Sequence, residues 1–254
     1  MAQIDLNSDL GEGFGPWSMG DDGAMLGLVT SANIACGGHA GDPETMFATL
    51  RLAAARGVTV GAHPGYADPM GFGRRVIPMA PDQIGRMVAA QVGTLMGVAA
   101  LAGVAVRYVK PHGALANLAA DRRDVADAIA AAVGALPAGL AVLAISGTEM
   151  EAASRAAGLP TFAEVFADRA YLPDGRLVPR DRPGAVIHDA GAAADRLLAF
   201  LKTGQMPVQG GGSLPLQAAS VCIHGDNPAA VAMAGQIRAR LLAGGVTLAP
   251  FLAP

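Results

Sequence analysis

Polar side chains that could carry out catalysis follow most of the predicted strands of this 254-residue sequence. They are Asn7 and Asp9 after the first strand, His39 and Asp42 after the second, His63 after the third, Lys110 and His112 after the fourth, Asp168 and Arg169 after the sixth, and His224 and Asp226 after the seventh. Histidine and carboxylate groups can move protons or hold a divalent metal ion. Lysine and arginine can stabilise a developing negative charge.

Strands and helices alternate along the whole chain. The apolar pattern predicts strands at Gln3–Asn7, up to Ala35, Val58–Ala62, Val104–Val109, Leu140–Ile145, Thr161–Val165, Ser220–Ile223 and Thr247–Ala249. Helices are predicted to begin at Asp22, Pro43, Pro81, Asp121 (as an N-cap), Gly147, Ala190 and Pro228. Such alternation is typical of a parallel sheet covered by helices. Seven or eight units in this length favour a single-domain (β/α) barrel over residues 1–254, with an open doubly wound sheet as the alternative.

In a parallel barrel all strands end at the same rim, so the polar residues at the strand ends would converge there. Four of the five histidines lie at such ends, beside glycine or proline. That rim is where the active sites of barrel enzymes lie. The pattern therefore predicts an enzyme. His188 falls outside it and is expected to be structural.

The composition argues against several other classes of protein. With 18 basic and 21 acidic residues and no basic run, the chain is not expected to bind nucleic acid or an anionic membrane. Two cysteines make no disulfide framework, and no signal segment opens the sequence, so a cytoplasmic location is expected. The uncharged runs Met87–Val106 and Ala128–Ser146 are interpreted as buried helices that lead into strands, because glycine, proline and polar residues interrupt them.

The residue types alone leave the chemistry open. The rim could hold a metal ion that activates water, although no HExxH or HxH pair is present. Metal-free acid–base catalysis on a small anionic substrate is the alternative. Cys36 could act as a nucleophile with His39 or His63, but packing among small residues is the preferred interpretation, and Cys222 is expected in the core. The glycine-rich stretch Gly204–Leu216 is predicted to be a loop, and Gly210–Gly212 within it is interpreted as flexible, because it lacks the context of a phosphate-binding loop.

Several ordered motifs resemble the LamB/YcsF family, the A subunits of bacterial ATP-dependent 5-oxoprolinase. They are Asp5-Leu-Asn7-Ser-Asp9-Leu-Gly11-Glu12, Ser31-Ala-Asn33-Ile-Ala-Cys36-Gly-Gly38-His39-Ala-Gly-Asp42, Gly61-Ala-His63-Pro64, Phe72-Gly-Arg74, Val109-Lys110-Pro-His112-Gly113, Phe166-Ala-Asp168-Arg169 and His224-Gly-Asp226. The resemblance runs from residue 3 to the last helix. It implies a deacetylase-like (β/α) barrel and hydrolysis of the lactam 5-oxo-L-proline to L-glutamate. It also implies coupling to ATP, with Mg²⁺, and two partner proteins, the B and C subunits.

Matching positions of this chain inherit candidate roles from the resemblance. The candidate catalytic residues are Asp9, His39, His63, Lys110 and His112. The candidate substrate-binding residues are Asn7, Glu12, Asp42, Arg74, Asp168, Arg169 and His224. If a metal ion is bound, Asp9, His39 and His63 are its candidate ligands. A metal-dependent, deacetylase-like hydrolase without ATP and a non-catalytic substrate-binding subunit remain as alternatives.

The chain departs from the family pattern at two positions. The family usually has an aromatic residue where Gly38 stands, and commonly a tyrosine where Ala116 stands. If those rings line the pocket, the substrate preference of this chain would differ from that of its relatives.

Overall fold

Seven parallel strands close into a barrel in the computed structural model, which describes residues 2–254. In spatial order they are β1 (Gln3–Leu10), β2 (Ser31–Ala35), β3 (Thr59–His63), β4 (Val106–Val109), β5 (Ala141–Ile145), β6 (Thr161–Phe166) and β9 (Ser220–Cys222). The ring is closed because β1 pairs with β2 on one side and with β9 on the other. A short strand, β10 (Thr247–Leu248), pairs with the beginning of β1. The predicted barrel is confirmed, and the open sheet was wrong. Met1, the first residue of the predicted domain, lies outside the described residues.

Helices follow the strands and cover the outside of the barrel. They are α1 (Asp22–Met25), α2 (Pro43–Ala55), α3 (Pro81–Ala102), α4 (Gly113–Asp121), α5 (Arg123–Gly134), α6 (Glu149–Ala156), α7 (Ala190–Thr203) and α8 (Pro228–Ala243), with a 3₁₀ turn at Pro69–Gly71. Two of them, α2 after Asp42 and α8 after Asn227, begin with both a side-chain cap and a proline in the first turn. Their inner faces form one continuous core of alanine, valine, leucine and isoleucine.

Three local predictions need correction. Strand β1 does not end at Asn7 but continues to Leu10, because residues 7–10 all pair with β2. Asp121 does not cap a helix; it is the last residue of α4, and α5 begins two residues later. The predicted loop at 204–216 contains an antiparallel hairpin of β7 (Gln205–Pro207) and β8 (Ser213–Pro215), whose turn uses glycines 210–212 at positive φ.

Helix α3 is, within residues 2–254, the one helix long and apolar enough to cross a membrane by length and composition. It packs between α2 and α5, and Ile84, Val88 and Val92 on one side of it are buried in the core. This is the arrangement of a core helix of a barrel, as expected for the run that begins at Met87. The run that begins at Ala128 likewise forms the end of α5 and strand β5.

The inside of the barrel is polar at its centre. Tyr108 donates to Asn33 at 2.6 Å, and Asn33 donates to Asn7 at 2.7 Å, all three side chains being buried. Asn7 in turn donates to Ser220 and Glu164. These hydrogen bonds join β1, β2, β4, β6 and β9, and they form a rigid floor beneath the rim.

Candidate active site

A cavity of about 760 Å³ opens at the carboxyl ends of the barrel strands. Eight of the predicted site residues line it: Asp9, Glu12, His63, Arg74, Lys110, His112, Arg169 and His224. Side chains at the ends of β1 and β3 and in the segments after β1, β3, β4, β6 and β9 therefore meet, as the barrel pattern predicts. Of the predicted site residues, all of which the structure describes, Asn7, His39, Asp42 and Asp168 do not line this cavity.

Lys110 is buried at the bottom of the cavity between two carboxylates. Its Nζ lies 3.1 Å from Oδ1 of Asp9 and 3.1 Å from Oε2 of Glu164, and it donates to Oδ1 of Asn7 at 3.1 Å. Burial opposes the positive charge, but the carboxylates of Asp9 and Glu164 hold the pKa of Lys110 well above 10.5. Burial also opposes the charge of Asp9, yet His63 and Lys110 keep the pKa of Asp9 well below 3.8. Lys110 and Asp9 are therefore an ion pair at neutral pH.

His63 and His112 are held in fixed orientations by backbone carbonyls. Nδ1 of His63 lies 2.7 Å from the carbonyl oxygen of Lys110, and Nε2 of His112 lies 2.9 Å from that of Phe72. The other two nitrogens, Nε2 of His63 and Nδ1 of His112, face each other at 3.0 Å. Oδ2 of Asp9 is 3.2 Å from the same His63 nitrogen. Burial and the neighbouring His63 lower the pKa of His112 to about 3.

His39 lies behind the cavity wall and stacks on His112. The two rings are parallel, with centroids 3.6 Å apart. Nε2 of His39 lies 3.0 Å from Oε1 of Glu12, while its buried Nδ1 has no hydrogen-bond partner within residues 2–254. Burial and the nearby His112 lower the pKa of His39 well below 6.5, and burial and the charge of Asp9 raise the pKa of Glu12 well above 4.5.

A second pair, His224 and Asp168, lies across the cavity. Nδ1 of His224 is 2.7 Å from Oδ2 of Asp168. Burial disfavours the imidazolium, but the Asp168 carboxylate outweighs that effect and raises the pKa of His224 above 6.5. Nη2 of Arg180 lies 3.3 Å from Nε2 of His224. Asp168 itself reaches the cavity only through His224.

Arg169 is tied to the loop that covers one side of the cavity. Its guanidinium donates to the carbonyl oxygens of Val178 at 2.6 Å and Ala185 at 3.3 Å. Burial and the nearby Arg180 lower the pKa of Arg169 to about 10. These contacts fix the wall formed by residues 172–180, and the role of Arg169 in holding substrate stays a prediction.

Three sequence-based expectations for other residues change or gain support. Asp42 is not at the cavity, because its carboxylate caps α2 and accepts from the hydroxyl of Thr45 and the amide of Gly15, contacts that lower its pKa to about 2. Asn7 lies beneath Lys110 with its amide fully hydrogen-bonded. Cys36 is buried and donates to the carbonyl oxygen of Ile34, and burial raises its pKa to about 12. The packing interpretation of Cys36 agrees with this placement.

Glu164, Arg176 and Arg180 line the cavity but were not among the predicted site residues. Glu164 had a usable signal, because it is the single charged residue in the apolar strand β6. A buried charge requires a partner, which here is Lys110. The two arginines lie in the polar segment after β6, where neither spacing nor periodicity distinguishes them.

The two departures from the family pattern have different consequences. Ala116 lines the cavity, so a larger side chain at this position, such as tyrosine, would occupy cavity space. Gly38 does not line it. A Cβ on Gly38 would lie 2.7 Å from both Cδ and Nε2 of Gln91. The amide of Gln91 therefore occupies the space into which a side chain at position 38 would extend.

Comparison with known proteins gives matches over nearly the whole chain. The chain is 55% identical to the 5-oxoprolinase A subunit of Nocardia farcinica over 98% of its own length and 99% of the relative's. It is 50% identical to a 5-oxoprolinase A subunit of Pseudomonas syringae pv. tomato, covering 99% and 98% of the two chains. The crystal structure of the lactam utilization protein from Thermus thermophilus superposes with a TM-score of 0.92 at 41% identity, over 97% of this chain and 99% of that one. The LamB/YcsF family profile matches residues 4–254. This chain belongs to the LamB/YcsF family.

Proposed function

We propose that this chain is the lactam-hydrolysing component of an ATP-dependent 5-oxoprolinase, which converts 5-oxo-L-proline to L-glutamate while ATP is cleaved to ADP and phosphate. The observation that carries the proposal is the full-length similarity, at 50–55% identity, to proteins named as A subunits of 5-oxoprolinase. Because an A subunit implies further subunits, these names also support an assembly with two partner proteins, the B and C subunits. The charged cavity at the barrel rim suits a small substrate that carries a carboxylate.

The need for ATP follows from the chemistry of the lactam. Amide resonance makes its carbonyl carbon a poor electrophile, and the amine of the product lies close enough to reclose the five-membered ring. Transfer of a phosphoryl group from ATP to the amide oxygen would release ADP and leave an imidate-like carbon, which water can attack. Mg²⁺-ATP is thus the co-substrate of the assembly as a whole.

Collapse of the resulting tetrahedral carbon decides whether the ring opens. That carbon bears a hydroxyl, a phosphate ester and the ring nitrogen. Loss of phosphate would return the lactam, whereas cleavage of the C–N bond leaves an acyl phosphate, which a second water converts to glutamate and phosphate. Amine is a poor leaving group unless it is protonated, so a proton donor at the ring nitrogen favours the productive path. His63 is the candidate donor of this proton, and the carboxylate of Asp9, 3.2 Å from its Nε2, would hold the ring and offset its charge.

Cations at the site have two different roles in this proposal. Lys110 has three oxygen acceptors already, so it positions Asp9 and neutralises it. Arg169 holds the covering loop. Arg74 and Arg180 line the cavity with side chains that are more exposed, and they are the better candidates to bind the substrate carboxylate or the phosphate.

Reconstitution of the chain with its two partners tests the proposal. We expect 5-oxoproline-dependent formation of ADP and glutamate in equal amounts from the three-protein mixture, and no glutamate from this chain alone. A wild-type mixture that forms no glutamate from 5-oxoproline would contradict the proposed reaction.

Variants of this chain separate a catalytic role from a merely binding one. His63→Gln in the complete mixture should lower glutamate formation by about 100-fold or more, the usual effect of losing a general acid or base. His188→Gln, at an exposed histidine remote from the cavity lining, is the matched control. If His63→Gln and His112→Gln both leave full activity, the chain is a non-catalytic substrate-binding subunit.

The buried cluster of Glu12, His39, His63 and His112 favours a second candidate, a metal-dependent hydrolase that needs no ATP. Its distinguishing result is amide hydrolysis by this chain alone, without ATP, that a chelator abolishes. Strict dependence of glutamate formation on ATP removes this candidate.

A further inference from the structure

The ring of His224 is fixed by a carboxylate on one side and lines the cavity on the other. Its Nδ1 lies 2.7 Å from Oδ2 of Asp168. An ionised carboxylate only accepts, so Nδ1 carries the proton and, in the neutral ring, Nε2 has the free lone pair. Arg180, which can only donate, lies 3.3 Å from Nε2 and agrees with this tautomer. A carboxylate that fixes an imidazole in this way leaves the outer nitrogen ready to accept a proton.

His224 and His63 lie on opposite sides of the barrel mouth. His63 ends β3 and His224 follows β9, two strands that are separated by β1 and β2 on one side and by β4, β5 and β6 on the other. Asp9 lies between them, with Oδ2 at 3.2 Å from Nε2 of His63 and a carboxylate oxygen within 4.8 Å of a ring nitrogen of His224. A lactam held over Asp9 would therefore have one imidazole on each side.

The proposed reaction needs a proton acceptor as well as a proton donor. Water must lose a proton as it attacks the imidate-like carbon, and the ring nitrogen must gain one before the C–N bond breaks. One histidine cannot do both at once, because the first task requires a neutral ring and the second a protonated one. His63 is the candidate donor. Both ring nitrogens of His112 already have partners, the carbonyl oxygen of Phe72 and Nε2 of His63.

We propose that His224 is the general base that activates the attacking water, and that Asp168 is a positioning residue that fixes its ring and tautomer. As the water oxygen bonds to the imidate-like carbon, one water proton moves to Nε2 of His224, and the electron pair of the C=N bond moves to the ring nitrogen. Solvent takes the proton from His224 before the next turnover. The inference deepens the proposed function and rests on it, since this attack belongs to that reaction.

The surroundings of His224 suit a base that works near neutral pH. The charged groups that face it are Asp168 after β6, Asp9 in β1 and Arg180 in the segment before α7, while α8 contributes apolar side chains. The nearby thiol of Cys222 is neutral, because burial raises its pKa well above 9.0. Burial disfavours the imidazolium of His224, but the carboxylates outweigh burial and raise its pKa above 6.5. A general base is most effective when its pKa is close to the working pH.

The His224→Gln variant in the complete three-protein mixture tests the role of the base. Steady-state glutamate formation should fall by about 100-fold or more, because the attacking water has no proton acceptor. Phosphoryl transfer precedes the attack of water, so rapid-quench samples should still show a stoichiometric burst of ADP. His188→Gln, at an exposed histidine, is the matched control and should behave as the wild type. Circular dichroism of each variant verifies that the barrel is folded.

The Asp168→Asn variant tests the positioning role through the pH profile. In the wild type, kcat/KM for glutamate formation should rise with pH through the pKa of His224, because only the neutral ring accepts a proton. Removing the charge of Asp168 lowers that pKa, so the rising limb should move to lower pH while the plateau falls. A merely structural role would lower the plateau and leave the limb where it is.

The outcomes separate this inference from the proposed function. If the wild-type mixture forms glutamate and His224→Gln does so at the same rate, the general-base role is rejected and the proposed function stands. Loss of the ADP burst in folded His224→Gln would reject the role as well, because the residue would then act before water attacks. An unmoved limb in Asp168→Asn rejects the positioning role. A wild-type mixture that forms no glutamate rejects the proposed function, and the role of His224 with it.

Discussion

Lys110 sets the charge balance inside the barrel. It is buried and lies 3.1 Å from the carboxylates of Asp9 and Glu164. Removing one member of a buried ion pair costs more than the pair contributes, because the partner's charge is left in a medium of low polarity. Two negative charges depend on this one ammonium, so its loss affects both the stability of the fold and the position of Asp9.

Replacing Lys110 by methionine should therefore affect both properties. We expect Lys110→Met to lower the free energy of unfolding by about 3–5 kcal/mol, measured by urea titration, and to abolish 5-oxoproline-dependent ADP release. The double variant Lys110→Met/Glu164→Gln should recover part of the stability but no activity, because one stranded charge is removed. Lys202→Met, at the exposed second lysine of the chain, is the control. Retention of ADP release by Lys110→Met would exclude the assigned role.

The pair of His224 and Asp168 makes stability depend on pH. Burial lowers and Asp168 raises the pKa of His224, with a net rise above 6.5, and burial raises while His224 lowers the pKa of Asp168, with a net fall below 3.8. The ion pair therefore stabilises the fold fully between pH 3.8 and 6.5. Its contribution is lost as pH rises through the raised pKa of His224, or as pH falls through the lowered pKa of Asp168.

Comparison of wild type with His224→Gln isolates this contribution. We expect the wild type to be more stable by about 1–3 kcal/mol at about pH 5.5, and the difference to shrink in alkaline solution. Urea unfolding at several pH values measures it, with His188→Gln as the control. A difference that grows with rising pH would show that His224 is neutral in the folded protein.

At the scale of elements, helix α3 is tied to the turn after β3 by a single side chain. The amide of Gln91 accepts from the backbone N–H of Gly65 at 3.0 Å and donates to its carbonyl oxygen at 2.7 Å. This turn directly follows His63, so the helix supports the orientation of a candidate catalytic residue. The arrangement exists only because position 38 has no side chain.

Adding a methyl group at Gly38 should break this link. Gly38→Ala is expected to displace the Gln91 amide and to lower the free energy of unfolding by about 1–3 kcal/mol, because two buried backbone groups of Gly65 lose their partner. The double variant Gly38→Ala/Gln91→Ala should cost less than the sum of the single variants, as a shared clash requires. Gly93→Ala in the exposed part of the same helix meets no atom within 4 Å and should be neutral or slightly stabilising. Equal effects of Gly38→Ala and Gly93→Ala would contradict this account.

For the whole molecule, local signals were enough to predict the barrel and most of its rim. Three local signals predict where the alternating strands and helices lie: the periodicity of apolar residues, the glycines and prolines that interrupt it, and the helix caps. The parallel topology then brings the strand ends together. His63 and Lys110 could be assigned to the site because each directly follows a predicted strand. The same reasoning placed Asp42 there too, although it caps a helix, and sequence position alone does not distinguish a cap from a ligand.

What could not be predicted depends on contacts between residues far apart in the chain. Glu164 is recognisable as a site residue only once it is found in contact with Lys110, which lies 54 residues earlier in the sequence. Arg180 reaches the cavity from a long segment whose path no local pattern specifies. The sequence predicts a loop where the β7–β8 hairpin forms, because its strands are three residues each and too short to show an alternating apolar pattern.

Asp5, at the base of β1, helps to close the barrel. Its carboxylate accepts from Ser31 at 2.7 Å and from Thr30 and Ser220, and so it joins β1 to both of the strands beside it. Burial raises the pKa of Asp5 from 3.8 to about 6, in spite of these hydrogen bonds. Between those two values the folded protein binds more protons than the unfolded one, so stability falls as pH rises across that window, by about 3 kcal/mol for a shift of about two units.

Asp5→Asn, which cannot ionise, should gain stability relative to the wild type by that amount between about pH 4 and pH 7, measured by urea unfolding. The exposed Asp181→Asn is the control, and a constant difference between wild type and Asp5→Asn across this range would mean that Asp5 does not change protonation with folding.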